Sequence, residues 1–262
     1  MAGARAVDPS RIVGVQSLRE TPVADPAVPR LELAEWADRY GVVAGITSRG
    51  SGFSLGLWSA EPVGQVMTRW RAFRTALPSF PGCVLGHQIH GVEVRWHDAV
   101  EGWVQVEGID GHAANTPGQL LAVTVADCIP IYLVAPGQRA IALLHSGWRG
   151  TAGRILERGV AVLGEHCGVH PTEIVMHCGV GICGECYEVG SEVAERLSDG
   201  ESTLPSHIDL RLVLARQAEK LGIGTVTISP WCTAHHHDRF FSHRASAGGD
   251  GRQVAYLGIP SA

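Results

Sequence analysis

The hydrophobic positions of this chain alternate between short strand-like runs and longer segments with helical spacing. Continuous apolar runs at 120–125, 129–134 and 140–144 predict strands that are covered on both faces. Further strands are predicted at 42–47, 84–89, 92–96, 174–177 and 226–229, and helices at 31–40, 62–77, 150–163, 192–197 and 210–221. Because no repeat, low-complexity block or linker interrupts this alternation, the sequence predicts a single domain.

Three of the predicted strands are followed by a side chain that is a soft metal ligand. His90 lies between two predicted strands in a hairpin-like position, Cys128 lies in the break between two others, and His145 ends a third. One strand that leads away from Cys128 and one that leads back would bring His145 close to Cys128. If all three side chains meet, they form a Cys/His₂ site with one coordination position free, which is the arrangement of a catalytic zinc.

The composition is that of a globular protein. The chain has 262 residues, of which 45% are hydrophobic, and can bury a substantial core. Its net charge of −5 offers no basic surface for nucleic acid or anionic lipid, and no segment reaches the roughly 18 apolar residues of a membrane helix. No signal-peptide core is found near the start. The sequence therefore predicts a cytoplasmic protein that acts on small soluble molecules, with residues 1–30 as a weakly ordered extension and residues 31–262 as the folded domain.

Each candidate ligand also has an ordinary structural interpretation. A single histidine at a strand end is more often a hydrogen-bonded residue than a ligand, and the spacings from 90 to 128 and from 128 to 145 match no compact zinc pattern. Arg149, in a Gly-x-Arg-Gly segment before a predicted helix, could bind an anion or pair with a local carboxylate. Asp127 could orient a metal-binding side chain without binding the metal itself, or it could cap a turn.

Two other segments are rich in ligands. One contains Cys178, Cys183 and Cys186, and the other contains Cys232, His235, His236, His237 and Asp238. A single C-x-x-C pair is a weak zinc signal that also fits a redox or incidental pair, and three adjacent histidines cannot all point toward one site. Seven cysteines without an export signal indicate reduced thiols rather than disulfides, with Cys83 and Cys167 as inert side chains.

A series of motifs in a fixed order is more specific than any of these spacings. It comprises Gln88-Ile89-His90-Gly91, Asp110, Ala126-Asp127-Cys128, His145-Ser146-Gly147-Trp148-Arg149-Gly150, Cys186-Tyr187-Glu188-Val189 and Phe240-Phe241-Ser242-His243-Arg244. Over about residues 42–259 the chain resembles the bacterial laccase-domain family. Members were long named multicopper polyphenol oxidoreductases and are similar to enzymes now described as zinc-dependent purine nucleoside phosphorylases with adenosine deaminase activity.

The resemblance implies that His90, Cys128 and His145 are both the zinc ligands and the catalytic centre, with copper as the alternative metal. It implies an α+β fold in which mixed β-sheets are stacked as a sandwich between outer helix layers. The expected partners are phosphate and a purine nucleoside, namely adenosine, inosine, guanosine or methylthioadenosine, which phosphorolysis converts to free base and ribose-1-phosphate. Deamination of adenosine by zinc-activated water is the second expected reaction. Arg49 and Arg149 are the candidates for holding the substrate phosphate.

The chain departs from the usual family pattern at three positions, Gly56, His87 and Ala245, and keeps the three ligand positions. Two other functions are compatible with the same residues. A copper-dependent polyphenol oxidase (laccase) would need His-x-His pairs for a trinuclear cluster, which this sequence lacks outside 235–237. A non-catalytic, metal-stabilised binding protein would be favoured if one of the three ligands were missing.

Overall fold

The computed structural model of the chain describes residues 15–198 and 206–261. Its strands are β1 (Val15–Ser17), β2 (Thr21–Pro22), β3 (Arg30–Glu32), β4 (Val43–Thr47), β5 (Gly82–His87), β6 (Val94–Trp96), β7 (Gly102–Glu107), β8 (Gly111–Ala114), β9 (Gln119–Val125), β10 (Ile129–Ala135), β11 (Ala140–Ser146), β12 (Val175–Cys178), β13 (Glu188–Val189), β14 (Ser206–His207), β15 (Thr225–Ile228) and β16 (Gln253–Ile259). Its helices are α1 (Ala34–Tyr40), α2 (Val63–Thr75), α3 (Trp148–Ala152), α4 (Ile155–Cys167), α5 (Ser191–Leu197) and α6 (Leu210–Leu221), with a 3₁₀ turn at Pro171–Glu173. Within the described ranges, no helix has the length and apolar character needed to cross a membrane.

Two seven-stranded mixed sheets are stacked face to face. Sheet I has the order β1-β15-β12-β10-β11-β8-β6, and sheet II has the order β2-β3-β4-β16-β9-β5-β7. Each sheet contains both parallel and antiparallel neighbours: β10 is antiparallel to β11 and β12 is parallel to β15, while β16 is antiparallel to β9 and β5 is parallel to β9. The predicted α+β sandwich of mixed sheets is thereby confirmed.

Alternating side chains along single strands build three apolar layers. In β9, Leu121 and Val123 lie in the layer between the two sheets, whereas Leu120 and Ala122 pack with the helix α2. In β10, Leu133 lies in the layer shared with α4 and α6. The order of layers is therefore α4 and α6, sheet I, sheet II, α2. Since both faces of each central strand are covered, their sequences read as continuous apolar runs.

The predicted hairpin at His90 is wrong. The strand before His90, β5, belongs to sheet II, and the strand after it, β6, belongs to sheet I. The same holds for Cys128, which connects β9 in sheet II to β10 in sheet I. Both residues therefore lie where the chain crosses between the sheets. A hairpin and a crossing look alike in sequence, because each is a polar break between two apolar runs.

Two predicted helices also differ from the observed elements. The helix expected at 150–163 is divided into α3 and α4 by Gly153 and Arg154. Arg154 has a left-handed backbone with φ 67°, and a Cβ on Gly153 would lie 2.7 Å from Cγ1 of Val92. The segment 31–40 begins as the end of strand β3 and becomes helical only at Ala34. Strand pairing with β4 decides the conformation of its first residues.

Residues 15–30, which the sequence assigns to a weakly ordered extension, pack on the sandwich. Strand β1 pairs with β15 at the edge of sheet I. Glu20 is buried, its carboxylate accepts a hydrogen bond from the Ser229 hydroxyl at 2.7 Å, and it lies 3.0 Å from Nε2 of His177. A buried carboxylate with these partners anchors the segment to the sheet. The first 14 residues of the expected extension lie outside the described residues.

Candidate active site

The side chains of His90, Cys128 and His145 converge, and their ligand atoms all lie within 4.8 Å of one another. The rings of His90 and His145 meet edge to face, with centroids 4.9 Å apart. Strands β10 and β11 form an antiparallel pair in which Pro130 lies opposite His145. As predicted, one of these strands leads away from Cys128 and the other leads back, which brings His145 close to Cys128.

Two of the ligand-bearing turns have an unusual backbone. His90 has φ 61° and Asp127, the neighbour of Cys128, has φ 82°. Such left-handed conformations are uncommon outside glycine and cost on the order of 1–3 kcal/mol each. At the His90 turn, the backbone N–H groups of residues 89, 90 and 91 all donate to the carboxylate of Asp110, at 2.8–3.1 Å. Strain that is held in place by such contacts is typical of functional sites.

Asp110 also holds His145, and thus joins two of the three residues of the cluster. Its carboxylate is fully buried and lies 2.8 Å from Nδ1 of His145, while its carbonyl accepts the backbone N–H of His145 at 2.7 Å. The contact at Nδ1 leaves Nε2 as the ring nitrogen available to the cluster. Asp110 stands in the motif series, but no local sequence feature indicates this role, because its partners lie 20 and 35 residues away.

Gln88 connects the turn of His90 to the strand that leads to Cys128. Its side-chain amide donates to the carbonyl of Thr124 at 2.8 Å and accepts the backbone N–H of Thr124 at 2.7 Å. The amide group thus pairs with the end of β9 as a neighbouring strand would. Together with Asp110, Gln88 fixes the relative positions of the two crossing segments.

The charges around the cluster favour a thiolate at Cys128. Burial alone would raise the pKa of this thiol, but the charge of His145 and hydrogen bonds from His145 and His90 lower it to about 6. For His145, burial lowers the pKa, while the Cys128 thiolate and the Asp110 carboxylate together raise it to about 9. The thiolate is the form of cysteine that binds metal ions.

The donor set and the space around it fit a zinc ion in an open site. One thiolate and two imidazoles leave a fourth coordination position free. Gly147 borders the cluster closely, since a Cβ there would lie 3.0 Å from Sγ of Cys128 and 3.3 Å from Cδ2 of His90. His90, Cys128 and His145 line a cavity of about 500 Å³, a volume typical of small-molecule sites.

Three arginines line this cavity, and they differ in how their guanidinium groups are held. Arg244 donates to the carbonyls at 186 and 188, and Arg252 donates to those at 250 and 251. Arg149 has no hydrogen-bond acceptor among the described residues, and its guanidinium lies 4.4 Å from the ring centroid of Trp148. Of the three, Arg149 is the one whose guanidinium donors are all available to an anion.

Aromatic side chains form another part of the cavity wall. Trp58 stacks on His87 with ring centroids 4.3 Å apart and an interplanar angle of 19°, and Trp148 and Tyr187 also face the cavity. Trp58 is 47% exposed. A large exposed aromatic ring next to a cavity offers a flat surface for a planar ligand. The sequence patterns do not single out Trp58, because an isolated aromatic residue in a loop carries no periodic signal.

The remaining predicted site residues lie in different relations to the cavity. Asp127 lines it, accepts a hydrogen bond from the Thr233 hydroxyl at 2.5 Å and accepts the backbone N–H of Arg244 at 2.7 Å. Arg49 is not among the described residues that line the cavity, and instead pairs with Asp250 at 2.9 Å. Arg149 lies inside α3, not before a long helix. The helix dipole therefore adds little there, since α3 has only five residues.

A second group of potential ligands lies beside the first. Cys183, Cys186, Cys232 and His235 have all their ligand atoms within 4.8 Å of one another. The sequence predicts the C-x-x-C pair and the histidine run as separate weak signals, and a bridge between Gly181 and Cys232 brings them together. The other two histidines of the run point elsewhere: Nδ1 of His236 contacts the carbonyl of Cys232, and His237 pairs with Asp250.

Comparison with known proteins places these features in a family. Residues 39–260 match the family model described as multi-copper polyphenol oxidoreductase laccase. A purine nucleoside phosphorylase of Deinococcus radiodurans is 38% identical over 181 residues, which is 66% of this chain and 69% of that protein. Adenosine deaminase RL5, from an unknown prokaryotic organism, is 35% identical over 191 residues, covering 64% of this chain and 72% of its own.

The fold comparison agrees. The crystal structure of YlmD from Geobacillus stearothermophilus superimposes with a TM-score of 0.83 at 27% identity, covering 92% of this chain and all of that one. The two proteins thus share their fold over most of this chain. With a family match that spans most of its length, the chain belongs to the multi-copper polyphenol oxidoreductase laccase family.

Proposed function

We propose that this protein is a zinc-dependent purine nucleoside phosphorylase that also deaminates adenosine. The observation that carries the proposal is the open Cys/His₂ cluster at a cavity lined by arginine and aromatic side chains. The names of the relatives, purine nucleoside phosphorylase and adenosine deaminase, support the substrate class. All seven cysteines are free thiols, which fits action in a reducing compartment such as the cytoplasm.

Two features of the cavity support phosphorolysis as the reaction. In this reaction an oxygen of phosphate forms a bond to C1′ of the ribose, and the bond from C1′ to the purine nitrogen breaks. The guanidinium of Arg149 can hold two phosphate oxygens in a bidentate contact. The stacked pair of Trp58 and His87 offers a flat surface for the purine ring. The two groups would thus bind the two reactants at one cavity.

Deamination uses the same cavity with water in place of phosphate. Water adds at C6 of adenosine, and ammonia leaves from the same carbon. A zinc ion held by His90, Cys128 and His145 would supply Lewis acidity and lower the pKa of water. The contacts of Asp110 with the ring of His145 and with the turn of His90 would orient the donor atoms of both residues.

The proposal is tested by direct assay. Purified protein is incubated with inosine or adenosine, with and without phosphate, and separately with a phenolic dye after copper loading. We expect phosphate-dependent release of free base, release of ammonia from adenosine, and loss of both in Cys128→Ala. Phenol oxidation that requires copper, without turnover of either nucleoside, would instead identify the protein as a polyphenol oxidase.

A further inference from the structure

The second ligand group combines two sequence pairs with the same short spacing. Cys183 and Cys186 form a C-x-x-C pair, and Cys232 and His235 form a C-x-x-H pair. Sγ of Cys183 lies 3.6 Å from Nδ1 of His235, and the backbone N–H of Cys183 donates to Sγ of Cys232 at 3.3 Å. Two such pairs, one on each of two adjacent loops, are the usual way in which a chain supplies the four ligands of a structural zinc.

Two of the four donors are buried, Cys186 is half-buried, and His235 lies at the exposed edge of the group. Cys183 and Cys232 are each 3% exposed and pack with Ile182, while Cys186 and Tyr187 pack against the same small cluster. Nε2 of His235, on the side of the ring away from Nδ1, lies 3.9 Å from a carboxylate oxygen of Glu185. A carboxylate beside the non-ligating nitrogen of a histidine is a common feature of zinc sites.

We propose that Cys183, Cys186, Cys232 and His235 bind a second metal ion, a structural zinc in Cys₃His coordination. Four protein donors fill a tetrahedral shell and leave no position for substrate. The site is therefore distinct in kind from the open Cys/His₂ cluster, and it does not depend on the function proposed above.

The placement of this centre gives it a role in shaping the cavity. The first loop of the site also supplies Ile182 and Tyr187 to the cavity wall. The backbone N–H of Ile182 donates to the carbonyl of Asp127 at 2.9 Å, and Thr233, next to Cys232, donates to the side chain of Asp127. A zinc ion that joins the two loops would hold the wall of the cavity and the turn of Cys128 together.

Metal content tests the proposal without reference to activity. We expect protein purified without added metal to contain two zinc ions per chain, and Cys128→Ala and Cys186→Ala to contain one each. Cys167→Ala, in which a half-buried thiol outside both groups is removed, should retain two. One zinc per chain in the wild type that is lost in Cys128→Ala and kept in Cys186→Ala would overturn the second site. So would a disulfide among Cys183, Cys186 and Cys232 in the purified protein.

Cobalt provides a readout that does not depend on the folding of Cys186→Ala. Added to metal-free Cys128→Ala, cobalt should bind at one equivalent with the intense thiolate-to-metal absorption of a tetrahedral site, because only the second group then contains cysteine ligands. The same titration of a Cys128→Ala, His235→Ala double variant should give a weaker and altered spectrum. Absence of the thiolate absorption in Cys128→Ala overturns the proposal even if Cys186→Ala does not fold.

Discussion

The chain places two thiol–imidazole groups side by side, and they differ in what surrounds the donors. The group of His90, Cys128 and His145 has three donors that face a cavity. The group that begins at Cys183 has four donors, packed against its own small apolar cluster. Three donors leave a coordination position for a reacting molecule, whereas four leave none. Number of donors and access to the cavity thus separate a group suited to catalysis from one suited to holding loops together.

The backbone and the supporting carboxylates differ in the same direction. The first group lies on turns with left-handed backbone at His90 and Asp127, and the fully buried Asp110 contacts His145 at 2.8 Å. In the second group no ligand has a positive φ among the described residues, and the supporting Glu185 is about half exposed and 3.9 Å away. Geometry that must be maintained against strain is therefore concentrated at the open group.

Replacing one cysteine in each group with alanine tests this comparison, and we expect it to have the largest effect. Cys128→Ala should lower kcat/KM by about 10³-fold or more, because loss of the proposed zinc would remove several kcal/mol of transition-state stabilisation. Cys186→Ala should lower the thermal unfolding midpoint, and the protein that remains folded should keep most of its turnover. The measurements are steady-state assays and thermal unfolding, with Cys167→Ala as the matched control. Equal loss of turnover in the two variants would show that the groups do not have separate roles.

A pair of histidines outside both groups predicts a large acid effect on stability. Nε2 of His97 lies 2.9 Å from Nδ1 of His112, and Nε2 of His112 has no hydrogen-bond partner among the described residues. Burial lowers the pKa of His97 to about 4 and that of His112 to about 3. The unfolded chain binds protons there below about pH 6.5, and the native state does not. The contribution of the two neutral histidines to the free energy of unfolding is thus fully present above about pH 6.5, and it is lost as the pH falls toward about 4.

We expect the metal-free protein to lose on the order of 4 kcal/mol of unfolding free energy between about pH 6 and pH 4, since each histidine contributes up to about 1.4 kcal/mol per pH unit. Urea unfolding at a series of pH values measures this slope. His97→Gln should reduce the slope by about one proton and leave the other histidine to titrate. A slope that is unchanged in His97→Gln would assign the acid effect to other groups.

Much of this fold could be predicted because its central strands are covered on both faces. The apolar runs of β9, β10 and β11 appear directly in the sequence. The sequence does not show to which sheet a strand belongs. Strands β5 and β6 would have the same pattern whether they paired with each other or with strands in different sheets. That choice depends on packing between segments far apart in the chain, and it decides that His90 lies at a crossing and not in a hairpin.

The candidate site shows the same division. The convergence of His90, Cys128 and His145 could be predicted from the order of motifs, although their spacing alone is a weak signal. The role of Asp110 could not, because it depends on contacts with two separate segments that meet only in the folded protein. The second group was hidden for a related reason: 46 positions separate Cys186 from Cys232, and neither pair is a strong signal by itself.

The cavity side of the comparison predicts an effect on phosphate binding at Arg149. Removal of a guanidinium that makes charge-assisted hydrogen bonds costs about 1.5–3 kcal/mol, so Arg149→Ala should raise the KM for phosphate by about 10- to 100-fold. Arg196→Ala, an exposed arginine on α5, is the matched control and should leave this KM unchanged. An unchanged phosphate dependence in Arg149→Ala would remove Arg149 from the phosphate site.

The supporting carboxylates provide a test of similar or smaller size. Asp110→Asn should weaken zinc binding at the open group by about 10- to 100-fold, as loss of a carboxylate behind a metal-bound histidine typically does. Glu185→Gln should change binding at the second group by less than about 3-fold, because its carboxylate is exposed and screened by solvent. Competition with a chelator measures both affinities, and Asp98→Asn, on the surface, serves as the control. Equal effects of the two substitutions would show that the carboxylates of Asp110 and Glu185 support their groups equally, against the expectation.

The smallest expected effect concerns the aromatic wall. If a purine stacks on Trp58, Trp58→Ala should raise the KM for the nucleoside by about 3- to 10-fold with little change in kcat, since aromatic stacking contributes about 0.5–1.5 kcal/mol. Trp58→Phe should restore most of the affinity, whereas Val63→Ala, at another exposed apolar residue, should have no effect. An effect on kcat alone would place the ring of Trp58 away from the bound base. In that case only the ligands and arginines, and not the aromatic wall, would distinguish the open group from the closed one.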